Sequence, residues 1–339
     1  MKSFAIATLI PLPLLLFGAL WGGGWILAAL LYLTAIAYLL DALVRRITPN
    51  APDGAEFPAA DTLSVVLALA HFAALPLGAW CVAGGTGLGA AERIAAFFSF
   101  GLFFGQISHP NAHELIHRAH RGLFRLGKWV YISLLFGHHT TAHRLVHHVW
   151  VATPEDPNSA RLGESFYHFA PRAWIGSFRK GLEAENRRAR DKPRLQHPYI
   201  AYVGGGLAIA LAMGLTLGAD GLLAYLALVL HAQTQLLVAD YVQHYGLSRA
   251  RGEDGRYEPV TPRHSWDAPH WFSSYLMLNA PRHSDHHAHP ARPYPALRLS
   301  PEGSSPTLPL SLPAMATLAF LPQRWRRKMD HRARRWAPG

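Results

Sequence analysis

Residues 199–247 read YIAYVGGGLAIALAMGLTLGADGLLAYLALVLHAQTQLLVADYVQHYGL. Two apolar runs, 199–217 and 222–239, flank GADG at 218–221. Each run is near the roughly 20 residues a helix needs to cross a bilayer core. The short Gly-Ala-Asp-Gly link permits only a tight turn. The stretch therefore reads as a membrane hairpin. Its closing sequence, DYVQHYGL, places His244 where the second helix emerges.

The pattern repeats upstream. Apolar runs at 4–20, 25–44, 62–82 and 91–107 bring the expected number of membrane helices to about six. The first run resembles a signal peptide, but a second follows almost at once, so a helical hairpin is expected rather than a cleaved leader. Between the third and fourth runs lies AGGTGLGAAER, a short Gly-rich turn. Arg45 and Arg46 follow the second run and assign that end to the cytoplasm by the positive-inside rule. With short outer turns, every polar block then returns to the cytoplasmic side. The expected fold is all-α: a single polytopic membrane domain over 1–339, with cytoplasmic metal-binding parts at about 109–198 and 240–339. Within the first of these, 124–136 is apolar enough for an interfacial or re-entrant segment, and 179–194 is a basic helix. The tail RWRRKMDHRARRW at 324–336 suits an anionic leaflet surface.

Composition narrows the function. Half of the 339 residues are hydrophobic, and 32 Lys and Arg against 21 Asp and Glu give a net charge of +11. The basic residues border membrane runs and form no nucleic-acid recognition motif, so membrane lipid and acidic partners are expected and nucleic acid is not. Cys81 is the only cysteine. The chain therefore holds neither an internal disulfide nor a cysteine-ligated iron centre of its own.

Nine histidines fall in four polar clusters. HELIH holds His113 and His117, and HRLVHH holds His143, His147 and His148. QHYGL holds His244, and HSDHH holds His283, His286 and His287. All four clusters lie on the expected cytoplasmic side. Imidazole is a common ligand for iron and zinc, and a structural zinc closes at four ligands. Nine imidazoles thus suit two metal ions. On a helix, residues four apart differ by about 40° and residues three apart by about 60°. His113 and His117 then share a face, as do His143 and His147, with His148 to one side. His286 and His287 flank the direction of His283, so a doublet can serve two different metals. A lone buried histidine, such as His71, His231 or His331, is more simply a packing residue.

Two other readings use the same residues. HELIH fits the zinc-hydrolase pattern H-E-x-x-H, but no LDG-type segment supplies a third ligand and seven histidines stay idle. A metal transporter without catalysis would carry its ligands within the membrane helices. These lie at or beyond the helix ends.

The three boxes resemble those of the integral-membrane di-iron desaturases and hydroxylases. VATPEDPNSAR at 151–161, DYVQHYGL at 240–247, and HSWDAPH at 264–270 leading to NAPRHSDHHAHPARPYPALR at 279–298 narrow the resemblance to the alkane 1-monooxygenase family. Ala142, Leu145-Val146, Asp240, Gln243 and Pro281 depart from that family's pattern but remove no expected ligand. The resemblance implies that all nine histidines bind two iron ions, cycling between Fe2+ and Fe3+, with O2 as co-substrate. Glu114, His138, Glu155, Asp156, Asp240, His270 and Asp285 are the candidates to support them, because a metal-bound imidazole usually gives its other N–H to a carboxylate or carbonyl. The implied reaction is hydroxylation of a terminal carbon of an alkane or alkyl chain to a primary alcohol. Xylene-type methyl oxidation or lipid desaturation on the same scaffold is the alternative. Electrons would come from a rubredoxin or ferredoxin and an NAD(P)H reductase, at the cytoplasmic face of a bacterial inner membrane. Bulky Trp25, Tyr32 and Tyr38 are candidates to limit chain length, or else ordinary packing aromatics.

Overall fold

A computed structural model describes residues 1–44, 46–190 and 193–337; Arg45, used above to orient the chain, lies outside the described residues. Among them the chain is helical, with isolated bridges and no strand. The membrane part comprises α1 (Lys2–Trp21), α2 (Gly23–Leu43), α3 (Pro58–Val82) and α4 (90–116). After these come α5 (Arg121–Ser133), α6 (139–150) and α7 (Phe166–Arg188). The long α8 (Pro198–His244), the short α9 (Trp271–Leu276) and α10 (His283–Ala288), then α11 (Leu312–Ala319) and α12 (Pro322–Arg334) complete the chain.

Helices α1, α2, α3 and α8 are each long and apolar enough to cross a membrane. Leu27, Leu207, Leu211, Leu215, Leu223 and Leu230 all point outward, each more than half exposed. In water such a surface would aggregate; against lipid it is the solvated face. This is a multi-pass membrane protein. The 91–107 run is the front of α4, which is not apolar enough to stand with the other four. Its polar residues turn inward, with Gln106 and Asn111 buried.

The hairpin expected at 218–221 is present. Gly218 leaves helical geometry at φ 70°, ψ −172°, a region open to glycine and costly to other residues. Tyr225 donates to the Ser133 carbonyl at 2.7 Å, and Gly206 packs against Leu135. In a straight helix these two residues would stand roughly 28 Å apart, so the chain turns back between them. Both ends of α8 therefore lie at the histidine-bearing end of the molecule.

Close helix approach depends on small residues, as is usual where lipid removes the hydrophobic drive. Gly101 and Gly105, one turn apart on α4, face His231 and Gln235 of α8, and a Cβ at either glycine would lie within about 2.2 Å of those side chains. Gln235 uses the space to donate to the Gly101 carbonyl at 2.8 Å.

The apolar stretch 124–136 forms α5 and its exit, packed against α4 and α8. The basic tail differs from expectation. It is a helix whose Trp325, Met329 and Ala333 are fully buried, with the Trp325 ring packed against Tyr241 and edge-on to Tyr245 at the end of α8. Tyr245 donates to Asp330 at 2.6 Å. Only the arginine face of the tail is left for the surface.

Candidate metal centre

The nine histidines converge in two groups. His113, His117, His143, His148 and His286 form one; His147, His244, His283 and His287 form the other. Within each group the candidate ligand atoms all lie within 4.8 Å of one another. In the first, the Nε2 atoms of His113 and His143 are 2.7 Å apart, those of His143 and His148 2.9 Å, and those of His148 and His286 3.1 Å. In the second, His244 and His283 are 3.0 Å apart, and His283 and His287 3.1 Å. Two nitrogens each about 2.1 Å from one ion, at right angles, would be about 3.0 Å apart. The Nε2 atoms of His117 and His147 are buried with no hydrogen-bond partner. Such convergence of ring nitrogens fits a cation in each group.

Local backbone geometry makes the division. The α10 helix is regular, so His283 and His287, four apart, share a group and His286 turns to the other. In α6 the expectation that His143 and His147 share a face is overturned. Residues 143–147 form a π-type turn inside the helix. Its wider turn brings residues five apart, not four, onto one face. His143 therefore joins His148, and His147 swings to the second group. Each doublet, 147–148 and 286–287, is split between the groups, as its spacing predicted.

Burial sets the protonation state. It is the main reason that His117, His143, His148, His283, His286 and His287 are held well below the ordinary imidazole value, with mutual repulsion adding to it. Neutral imidazoles leave lone pairs free for a metal. His147 is the exception. Burial works against its charge, but the Asp156 carboxylate outweighs that and raises it.

The supporting candidates fare unequally. Asp156 accepts from His147 Nδ1 at 2.8 Å and is itself held by Ser159 Oγ at 2.7 Å and the Asn158 amide at 3.0 Å. This fixes the His147 tautomer with Nε2 toward the group. Asp240 reaches the same network only through Asn158, at 2.7 Å. The others touch none of the nine rings through hydrogen bonds. Glu114 pairs with Arg118 at 3.1 Å and accepts from the Tyr294 amide at 3.3 Å. Asp285 binds Arg292 at 2.6 Å and His289 at 3.0 Å. His138 meets Ser177 at 3.3 Å, Glu155 meets Tyr257 at 3.4 Å, and the His270 segment bridges to Ile47.

Sequence reasoning overlooked several residues that fix the third box. Asp267 accepts from the Ser284 amide at 2.9 Å and from Ser305 Oγ at 3.1 Å. Fully buried Arg282 ties the start of α10 to the link after α2, through Asn50 Oδ1 at 3.0 Å and the Thr48 carbonyl, and also donates to the Leu297 carbonyl beyond α10. Asp41 receives the Phe272 and Ser273 amides at 2.7 and 3.1 Å, capping α9. The charges inside HSWDAPH and immediately before HSDHH were the signals available. His244 is oriented by a backbone group, its Nδ1 lying 3.4 Å from the His264 carbonyl.

A cavity of about 780 Å³ leads to the centre. Leu33 and Tyr38 of α2, Leu102 of α4, Leu236 of α8 and Leu318 of α11 supply apolar wall. His113 and His143 of the first group and His283 of the second also line it. Of the proposed length-limiting aromatics, Tyr38 faces this cavity. Tyr32 is buried and donates to the Ala7 carbonyl, and Trp25 meets Phe17 edge-to-face at the surface.

A family model described as fatty acid desaturase matches residues 89–319, the region that carries all four histidine clusters. Alkane 1-monooxygenase 1 of Pseudomonas aeruginosa is 33% identical over 331 residues, covering 93% of this chain and 85% of that protein. The chain belongs to the alkane 1-monooxygenase family. Alkane 1-monooxygenase 1 of Alcanivorax borkumensis is 37% identical over 280 residues, covering 79% of this chain and 67% of that protein. The hydroxylase component of xylene/toluene monooxygenase from Pseudomonas putida is similar at 28% over 231 residues, 64% of this chain and 58% of that protein. Membership in such a family makes the chain an oxidoreductase acting on a hydrophobic substrate, and the paired histidine groups are arranged so that each could hold a metal ion.

Proposed function

We propose that this chain hydroxylates the terminal carbon of alkanes or alkyl chains to primary alcohols, using two iron ions held by the two histidine groups. The observation that carries the reading is the apolar cavity ending on histidines from both groups. An alkane offers no polar handle, so its oxidation needs a metal rather than acid–base groups. Bound iron supplies the reduction of O2 and the oxidant for the C–H bond. In the net reaction one oxygen enters the product and the other leaves as water, with two electrons and two protons consumed.

The chain's own residues do the rest. Leu33, Leu102 and Leu236 would hold the substrate by apolar contact and keep water from the reacting end. Asp156 would lock His147, and Asp267 and Arg282 would fix the helix that gives His283, His286 and His287. The Glu114–Arg118 pair argues against the hydrolase reading. A general base must reach the metal-bound water, and this carboxylate is committed elsewhere. Two electrons per turnover would arrive from a rubredoxin or ferredoxin and its NAD(P)H reductase, docking on the basic face of the chain. The site would face the cytoplasm from a bacterial inner membrane crossed about six times.

The test is product analysis under 18O2, with membranes holding the protein, a rubredoxin, its reductase, NADH and a panel of alkanes, alkylarenes and acyl substrates. The expected product is a labelled primary alcohol that disappears in His283→Ala. An unlabelled alkene would replace hydroxylation by desaturation. Iron analysis of the purified chain should give two ions, and a single zinc would overturn the di-iron assignment.

A further inference from the structure

A second cavity, of about 550 Å³, lies behind the second histidine box where Pro198 starts α8. Lys128 of α5, Arg144 of α6 and Arg188 of α7 line it, against one carboxylate among its lining residues, Glu185. Glu185 does little to balance them. It is buried, accepts from Thr141 Oγ1 at 2.8 Å, and meets Arg188 only at 3.5 Å. Partial burial, and then the Arg188 charge beside it, disfavours the Arg144 charge. Arg144 lies 5.0 Å over the Phe124 ring, a contact that leaves its donors free for an anion. His197 contributes a buried Nε2 with no hydrogen-bond partner among the described residues.

The rim has the opposite chemistry. Leu195 is 86% exposed and Ile200 is 48% exposed. From Ile200 an outward apolar stripe continues along α8 through Val203, Leu207 and Leu211. Steps of three and four residues keep this stripe on one helix face. A cationic cavity that opens onto such a stripe, at the start of a membrane helix, matches an amphiphile with an anionic head. An acidic protein would satisfy the cations but leave the stripe unexplained. We infer that this cavity binds an anionic phospholipid, its phosphate among Lys128, Arg144 and Arg188 and its acyl chains along the Ile200–Leu211 face. Thr140, Thr141 and Arg144 belong to α6, so the lipid braces from outside the helix that carries His143, His147 and His148.

Native mass spectrometry of the full chain in detergent, given equal phosphatidylglycerol or phosphatidylcholine, tests this. The wild type should retain one phosphatidylglycerol and release phosphatidylcholine. Lys128→Gln with Arg188→Gln should lower retention about tenfold or more, since each cation contributes appreciably near a lipid surface. Lys128→Arg with Arg188→Lys keeps the charge and should keep the lipid, which separates binding from folding. Arg327→Gln with Arg334→Gln, on α12, should also keep it. Unchanged retention in the first pair, equal loss in the α12 pair, or equal retention of phosphatidylcholine would each overturn the proposal. So would full displacement by millimolar inorganic phosphate, which would make this a free-phosphate site.

Discussion

Among the described residues, Asp156 is the one acidic residue that hydrogen-bonds a ring of the two histidine groups, so the smallest change with a large expected effect is there. Asp156→Ala leaves His147 without its fixed tautomer, and loss of such a partner costs about 10- to 100-fold in metal affinity. Competition with a chelator should show weaker retention of one ion of the pair, with helix content unchanged. Equal retention of both would remove Asp156 from the site. A second expectation at this scale concerns pH. Imidazoles such as His143, His148 and His286 are lowered in the folded state, so they bind protons more readily when unfolded. Their contribution is complete above the ordinary value of about 6.5 and is lost as pH falls below it. Each fully displaced imidazole costs about 1.4 kcal/mol per pH unit there. The melting temperature of the metal-free protein should drop steeply between about pH 6.5 and about pH 5. His147, which is raised, runs the other way and only softens the trend. A flat profile would show that the rings are solvated.

At the scale of an element, the π-type turn at 143–147 decides which ring serves which group. Such a turn inserts one residue into an α-helix. Deleting Leu145, which is not among the histidines, should restore regular helix and put the residue now numbered 148 four places after His143, on the same face. The expected result is a folded, helical chain that keeps the same division of rings and still holds two metal ions. Loss of one ion would show that the bulge itself is needed to place the rings. The hairpin in α8 teaches the converse. GADG was readable because glycine chemistry is local, whereas nothing within HRLVHH announces a bulge. A π-type turn is paid for by tertiary packing around it, and single-residue propensities do not register that.

For the whole molecule, the cavity, the membrane surface and the basic exterior act together. Under the proposed function, a net charge of +11 predicts salt-sensitive coupling to an acidic electron donor. Raising ionic strength from about 0.1 M to about 1 M shortens the Debye length from about 10 Å to about 3 Å. The KM for the carrier protein should rise severalfold while the KM for alkane stays constant. Turnover indifferent to salt would remove the electrostatic part of docking.

The sequence by itself determined that the chain is helical and membrane-embedded, that nine named histidines form the centre, and that doublets divide between two groups. These follow from apolar run length, glycine turns and residue spacing, all of which act over a few neighbours. Tertiary structure alone decided that His143 pairs with His148, that Asp156 supports a ring while Asp285 and Glu114 bind arginines, and that the basic tail docks its Trp325 face on α8. In each case the choice lies between partners far apart in the chain. It is made by which buried group can be satisfied where, and that is a property of the packed molecule.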